Sequence, residues 1–356
     1  MLMTLVRRIS DQSRADLARA SGMAGFSASR IVDGLIARNL LSESAPVPRG
    51  RGKPSSRLAL QGDAAFAAGI SLMTDAVSVA LVNLSGAIMA SADFPLENPA
   101  LRPTAVHLRR HLDRLMLEAG LDRAQFVGAG VAITGFFIGD GHKLNPPGAL
   151  DDWAVRDLVP ELSGALDCGI WIDNDGNAAA LGEAGLGQGR TSSSFAYLYF
   201  AAGFGGGVIS EGKLMRGRHG NAGEFGACIP PGMPVPSLER LRVLMNQHGV
   251  RDLGLAEALG LCGKDVPGVA EWLDEATESL SIVISSIAGT LDPDAIVFGG
   301  RLPGQLADVL LPRLAFNNPL RRGYSRPTPL LLKSAVISDA TAAGAATLPL
   351  TAAFFQ

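Results

Sequence analysis

Asp173-Asn174-Asp175-Gly176-Asn177 sets two carboxylates and two amides within five residues, after the apolar run 169–172 and before the alanine-rich stretch 178–185. Carboxylates can take up protons or accept hydrogen bonds from hydroxyls, and the residue types alone also fit a helix N-cap cluster. Two glycine-rich turns, Ala201-Ala-Gly-Phe-Gly-Gly-Gly and Gly299-Gly300, can bring backbone N–H groups against phosphate or simply permit close strand–helix packing. Arg49, Arg51 and Lys53 alternate with glycine between residues 46 and 54, a basic tip suited to phosphate. His107 and His111 stand at i, i+4, a metal-binding spacing, but Arg109 and Arg110 between them mark an exposed helix face. Cys168, Cys228 and Cys262 lie far apart and form no CxxC, which reads as reduced thiols of a cytoplasmic protein.

The elements that must hold these groups divide by charge. Residues 1–62 carry ten basic side chains against four acidic, a balance of +6, whereas the remainder carries 21 against 30, a balance of −9. A small basic head on a larger acidic body is expected where one module meets phosphate and the other does not. With 356 residues, 47% hydrophobic and 18% charged, the chain has the core for two or three domains, and wholesale disorder is excluded. Its most apolar stretch, 195–209, is broken by four glycines, so no bilayer span is expected. Arg7 and Arg8 interrupt the place where a signal peptide needs an apolar core.

In the head, Ser13 reads as the N-cap of a short helix with Asp16 in its first turn, and Gly22 and Gly25 break that helix. A second helix is expected from Ser27, with Ile31, Leu35 and Ile36 as its buried stripe. Ala28, Ser29, Arg30 and Asp33 would then lie toward the outer face. Two short helices about a glycine-containing turn make a helix-turn-helix whose second helix reads the major groove. Ser27, Ala28, Ser29 and Arg30 are the reading residues. The basic tip, followed by a strand at 55–60, adds a wing through which Arg49, Arg51 and Lys53 touch phosphate or the minor groove. A flexible basic linker is the alternative for that segment.

Beyond residue 66 the pattern alternates between strands (67–72, 77–84, 87–90, 127–133, 169–172, 195–200, 208–209, 295–298) and helices (104–119, 178–185, 272–291, 340–347), an α/β architecture. Here the residues resemble a known family. Asp173-Asn-Asp-Gly-Asn-Ala-Ala-Ala-Leu-Gly-Glu is similar to the END-AN-AAA-L-x-E signature of the ROK family (repressors, open reading frames and kinases). Gly217-Arg-His-Gly-Asn-Ala-Gly-Glu-Phe-Gly is similar to the approach to that family's ExGH motif. The resemblance implies a two-lobed actin/hexokinase-like (ribonuclease H-like) body preceded by a winged helix-turn-helix. The expected boundaries are 1–61 for the head, 62–172 with about 337–356 for the smaller lobe, and 173–336 for the larger lobe.

By the same resemblance, Asp175 is the position of a kinase general base, and Asn174, Glu224, Glu239 and His219 belong to the sugar side. Paired acceptors suit a polyol, because each buried hydroxyl needs a partner. The family's D-x-G-G-T-K phosphate turn is replaced here by Ser71, Met73, Thr74, Asp75 and Ala76, and its second phosphate loop keeps Gly203, Gly205 and Gly206 without the threonine. Gly299 and Gly300 match its adenosine-side pair. A methionine where glycine admits phosphate, and a carboxylate on the phosphate path, imply a disabled nucleotide site with no ATP or Mg²⁺. The ExGH histidine is Ala227, and a single Cys228 stands where a zinc loop carries several ligands, so neither zinc nor another cofactor is expected. The implied protein is a cytoplasmic, sugar-responsive transcriptional regulator, a repressor and a homodimer or higher homo-oligomer. Its partners are a double-stranded DNA operator and a small carbohydrate, with no membrane. An ATP-dependent sugar kinase and a DNA-binding regulator with a vestigial sugar pocket are the alternatives.

Overall fold

Ser13 opens its helix as the sequence requires. Its hydroxyl accepts the Asp16 N–H at 3.2 Å, and the Asp16 carboxylate accepts the Ser13 N–H at 2.9 Å, a reciprocal capping box. The computed structural model describes residues 1–9, 11–45, 55–139, 143–250, 253–263, 265–336 and 339–355. The head contains helices α1 (Leu2–Arg8), α2 (Arg14–Ser21) and α3 (Gly25–Ala37), then strands β1 (Leu41–Glu43) and β2 (Leu58–Leu60) paired antiparallel. Helix α1, which the sequence pattern did not reveal, buries Leu2, Met3 and Val6 at helical spacing. Gly22 takes φ +69 at the turn between α2 and α3, a conformation that glycine adopts without strain.

Helix α3 starts two residues before Ser27, and its phase differs from the expected one. Ala28, Val32 and Leu35, spaced four and three apart, point inward, whereas Ile31 is 42% exposed. Ala28, at 0% exposure, therefore leaves the set of outward-facing readers. The small inward Ala28 lets α3 seat closely, so the buried stripe follows fit rather than side-chain size. Ser27 and Arg30 are exposed and Ser29 is half-buried. Arg49, Arg51 and Lys53 lie outside the described residues.

The body has two five-stranded sheets of like construction. The first comprises β3 (Phe66–Leu72), β4 (Ala76–Asn83), β5 (Ile88–Pro95), β6 (Phe126–Ile133) and, beyond the short hairpin β7 (Phe136–Ile138) and β8 (Lys143–Asn145), β9 (Ile170–Asn174). Its spatial order is β5-β4-β3-β6-β9, with β6 and β9 parallel to β3. Helices α4 (Leu101–Glu118) and α5 (Leu158–Leu166) cover one face, packing on Phe66, Ala68, Ile70 and Leu72 of β3, the alternate residues of a pleated strand.

After α6 (Asp175–Leu186), the second sheet uses β10 (Phe195–Phe200), β11 (Phe204–Ser210), β12 (Lys213–Leu214), β13 (Ala295–Gly300) and β14 (Leu330–Lys333). Their order is β12-β11-β10-β13-β14. Helices α7 (Leu238–Gln247), α8 (Leu255–Leu261), α9 (Val269–Thr290) and α10 (Gly304–Leu310) build its core around Trp272.

The last helix, α11 (Ala340–Phe354), lies on the other face of the first sheet, wedged against α6 by small residues. A Cβ on Gly69 would collide with the Ala342 carbonyl, and one on Gly344 with the Ala178 carbonyl. The head is not an appendage. Leu17, Val32, Leu35 and Leu41 share one core with Ala67, Val82, Ala343, Leu350 and Phe355 of the first lobe. Among the described residues no helix is long and apolar enough to cross a membrane.

Candidate functional site

Strand β9 runs directly into α6, so the three residues at that junction sit at a strand's carboxyl end and a helix's amino end together. Asn174 is the cap. Its Oδ1 accepts the Asn177 N–H at 3.1 Å, and its Nδ2 donates to the Gly135 carbonyl at 2.6 Å. Asp173 is fully buried and takes a two-point hydrogen bond from Arg216, with Nη1 at 3.0 Å and Nη2 at 2.5 Å. It also accepts from the Asn177 side chain at 3.0 Å. Asp173 is thus anchored by Arg216 and Asn177, and the cap of α6 is its neighbour Asn174.

Asp175, the first residue of α6, is 6% exposed, and its Oδ1 accepts the Gly176 N–H at 2.8 Å. Burial pushes its carboxyl up to about 6, a rise that the Thr134 hydroxyl and the Gly176 N–H oppose and the nearby Asp339 charge reinforces. Glu224, half-buried, is pushed above the usual carboxylate range by burial and then by the charge of Asp175. The structure therefore brings Asp175 and Glu224 within electrostatic reach. Both are acceptors when ionised, and their like charges oppose one another.

Glu239 does not join them. It sits in the first turn of α7, and both its oxygens are held by Arg242, at 2.9 Å and 2.6 Å. That pair engages both oxygens of the carboxylate expected to accept from ligand hydroxyls. His219 is exposed on the loop between Arg216 and Gly220. Asn221 of the same loop clamps the Phe137 backbone, accepting its N–H at 2.7 Å and donating to its carbonyl at 2.8 Å.

Across the first lobe, Ser71 lies fully buried near the end of β3, and its Oγ has no hydrogen-bond partner among the described residues. Met73 is buried and Thr74 half-buried in the turn to β4. In the same turn Asp75 pairs with Arg301 at 2.6 Å, immediately beyond Gly299-Gly300 in the second lobe. That ion pair ties the opening hairpin of one lobe to the glycine pair of the other.

The glycines split by role. Gly206 packs against the Tyr197 carbonyl and the Phe225 ring, Gly299 against the Tyr197 hydroxyl, and Gly300 against the Phe200 backbone at φ +72. Gly203 and Gly205 face open space. Gly206, Gly299 and Gly300 thus serve close packing, as the packing alternative anticipated.

Arg216, Thr134, Arg301 and Asp339 were not singled out from the sequence. The roles of the two arginines arise from partners 43 and 226 residues away, in Arg216–Asp173 and Arg301–Asp75, beyond any local pattern. Among the described residues no three His, Cys, Asp or Glu side chains cluster as a metal site, and Cys228 is an exposed single thiol. A structural zinc does not fit one thiol.

The chain matches the ROK family model over residues 67–265. It is 24% identical to the xylose repressor of Bacillus subtilis over 309 residues, covering 83% of this chain and 80% of that one. A crystal structure of a ROK family transcriptional regulator, homologous to the E. coli MLC protein, superposes with a TM-score of 0.68 at 20% identity, covering 98% of this chain and 96% of the other. The ROK hexokinase of Thermus thermophilus superposes with a TM-score of 0.59 at 24% identity, covering 79% and 96%. The two-lobed fold with paired sheets is thus the actin/hexokinase-like one, shared by regulators and kinases alike.

Proposed function

The chain belongs to the ROK family, and from that premise we propose that it is a DNA-binding transcriptional regulator whose cleft takes a small carbohydrate and whose nucleotide site is out of use. The Asp75–Arg301 ion pair carries this reading. By the motif resemblance, it joins the position of the family's phosphate turn to that of its adenosine-side glycines. A polyphosphate would have to displace Arg301 from a partner at 2.6 Å and then lie beside the freed Asp75 carboxylate. Met73 adds a side chain where backbone N–H groups would have to approach phosphate. ATP and Mg²⁺ do not fit these residues.

Asp175 and Glu224 supply the complementary support. Two carboxylates, one buried and one half-buried, with like charges that oppose one another, are relieved by a ligand donating hydroxyls to both, the chemistry of a polyol. The basic head, fused into the first lobe's core, supplies the DNA-contacting module, with Ser27 and Arg30 outward and Arg49, Arg51 and Lys53 as its further cations. Acting as a dimer on a palindromic operator, such a protein responds to sugar only through the ligand's different affinity for the lobe arrangements of its bound and free states.

A mobility-shift assay on DNA upstream of the gene tests this reading. Specific binding that weakens steeply with salt is expected. Absence of specific binding at low salt would overturn it. A thermal-shift panel of sugars, run with and without ATP·Mg²⁺, tests the cleft, and a hit without nucleotide is expected. A sugar kinase is the second reading, favoured by Asp175 itself, a buried carboxyl raised to about 6 at a helix start and so suited to accept a proton near neutrality. ATP turnover dependent on sugar and abolished by Asp175→Asn would establish that reading instead.

A further inference from the structure

Phe26, the second residue of α3, is 84% exposed, the most exposed of the large apolar side chains among the described residues. A phenyl ring left in water forgoes the gain of burying its apolar surface, and none of the head's described residues folds over it. Its neighbours define what it faces. Arg14 binds Asp33 at 2.6 Å and grips both oxygens of Glu43, at 3.0 Å and 2.8 Å. The one acid of α3 is thereby neutralised and drawn toward α2 and β1. On the outward side there remain Phe26, Ser27 and, one turn on, Arg30, with Gly34 bare beyond them.

The first turn of the second helix in a helix-turn-helix is the part that reaches base edges. The major groove offers one apolar feature, the C5 methyl of thymine. We propose that Phe26 is a specificity-determining residue that packs on a thymine methyl group in the major groove. This rests on the DNA-binding reading above and extends it. Arg30, four residues along, lies about 6 Å further on the helix axis. That distance matches a guanine contact about two base pairs from the thymine, at roughly 3.4 Å per step.

The test selects duplexes from a random pool with the full chain and with Phe26→Ala, then replaces each selected thymine by deoxyuridine, which deletes only the methyl group. The wild type is expected to select a fixed thymine and to lose about fourfold in affinity per half-site when that thymine loses its methyl, the equivalent of ~0.8 kcal/mol for one buried carbon. Phe26→Ala is expected to keep the other selected positions, lose that one, and bind thymine and deoxyuridine duplexes alike. Wild-type indifference to every deoxyuridine replacement, or a Phe26→Ala variant that still demands the same thymine, would overturn the assignment. Failure of the wild type to enrich any sequence would instead strike the DNA-binding reading itself. The deoxyuridine comparison on wild type needs no variant, so a folding defect in Phe26→Ala leaves the test intact.

Discussion

Replacing Asp175 by asparagine should stabilise the protein while weakening its hold on any polyol. The side chain is 6% exposed, and burial moves its carboxyl from 3.8 up to about 6. A rise of about two pH units corresponds to ~3 kcal/mol between the two protonation states, at roughly 1.36 kcal/mol per unit. A raised carboxyl binds its proton more tightly in the folded than in the unfolded chain. Above about pH 6 both states are ionised and the folded state bears the full penalty. As pH falls from about 6 toward 3.8, the folded state protonates first and the penalty fades. An amide carries no charge at any pH, and its oxygen can still accept from Thr134 and Gly176. The variant should therefore exceed wild type by about 3 kcal/mol at pH 7.5 and converge with it near pH 4. Urea unfolding followed by the fluorescence of the three tryptophans measures the difference at each pH. A variant no more stable than wild type at pH 7.5, or one whose advantage is unchanged at pH 4, would refute burial as the origin of the raised carboxyl.

Arg301→Ala removes the Asp75 pair, whose side chains are 20% and 28% exposed. A pair of that exposure contributes about 1 kcal/mol, so amides near 73–76 and 299–302 should exchange hydrogen roughly fivefold faster. Arg216→Met leaves the fully buried Asp173 without its cation, and a loss of about 3 kcal/mol is expected in urea unfolding, largely recovered by adding Asp173→Asn. Gly69→Ala forces α11 off β3 at the Ala342 carbonyl and should lower stability by about 2 kcal/mol or more in the same measurement. Gly34→Ala, whose Cβ meets nothing within 4 Å in α3, should raise stability there by about 0.5–1 kcal/mol.

Local patterns carried the parts of the fold that local forces decide. The Ser13–Asp16 cap, the Gly22 turn, and the strand-to-helix switch at Asp173–Asn177 rest on backbone groups within a few residues, so their sequence signatures are direct. The phase of α3 was misjudged because a large Ile31 outranks a small Ala28 in any hydrophobic tally. The core that α3 joins includes Val6 of α1, which Arg7 and Arg8 disguised as a polar N-terminus. Helix α11 was expected near residues 340–347, yet it continues through Pro349 to Phe354. Its burial was legible in principle, because a helix without a polar face has to be enclosed. Glu239 has the chemistry of a hydroxyl acceptor, and one turn away on the same helix Arg242 pairs with it at i, i+3, a spacing legible in the sequence. The long-range pairs of Asp75 and Asp173 depend on chain reversals that no single window contains.

The two lobes meet along a seam of small residues. Helix α6 packs on the second sheet, where Gly176 abuts the Gly206 backbone and Gly207 the Gly176 carbonyl, while α11 packs on the first sheet at Gly69 and Gly130. The helices touch each other through Gly182 against Ala340 and Gly344 against Ala178. Contacts of this kind hold the two helices backbone to backbone. The head bears on both helices at their far ends. The Arg7 guanidinium stacks over the Phe355 ring at 4.5 Å, just beyond α11, and lies 4.0 Å from the place of a Cβ on Gly185 in the last turn of α6. The near end of α6 carries Asp175, and the near end of α11 is capped by Asp339, whose charge acts on Asp175. On the reading proposed above, a ligand that neutralises or bridges the carboxylates there would change the relative energy of the two helix starts, whose far ends bear on Arg7. Such a ligand would act on the head only through the difference in its affinity for two arrangements of the helices, however tightly it binds either.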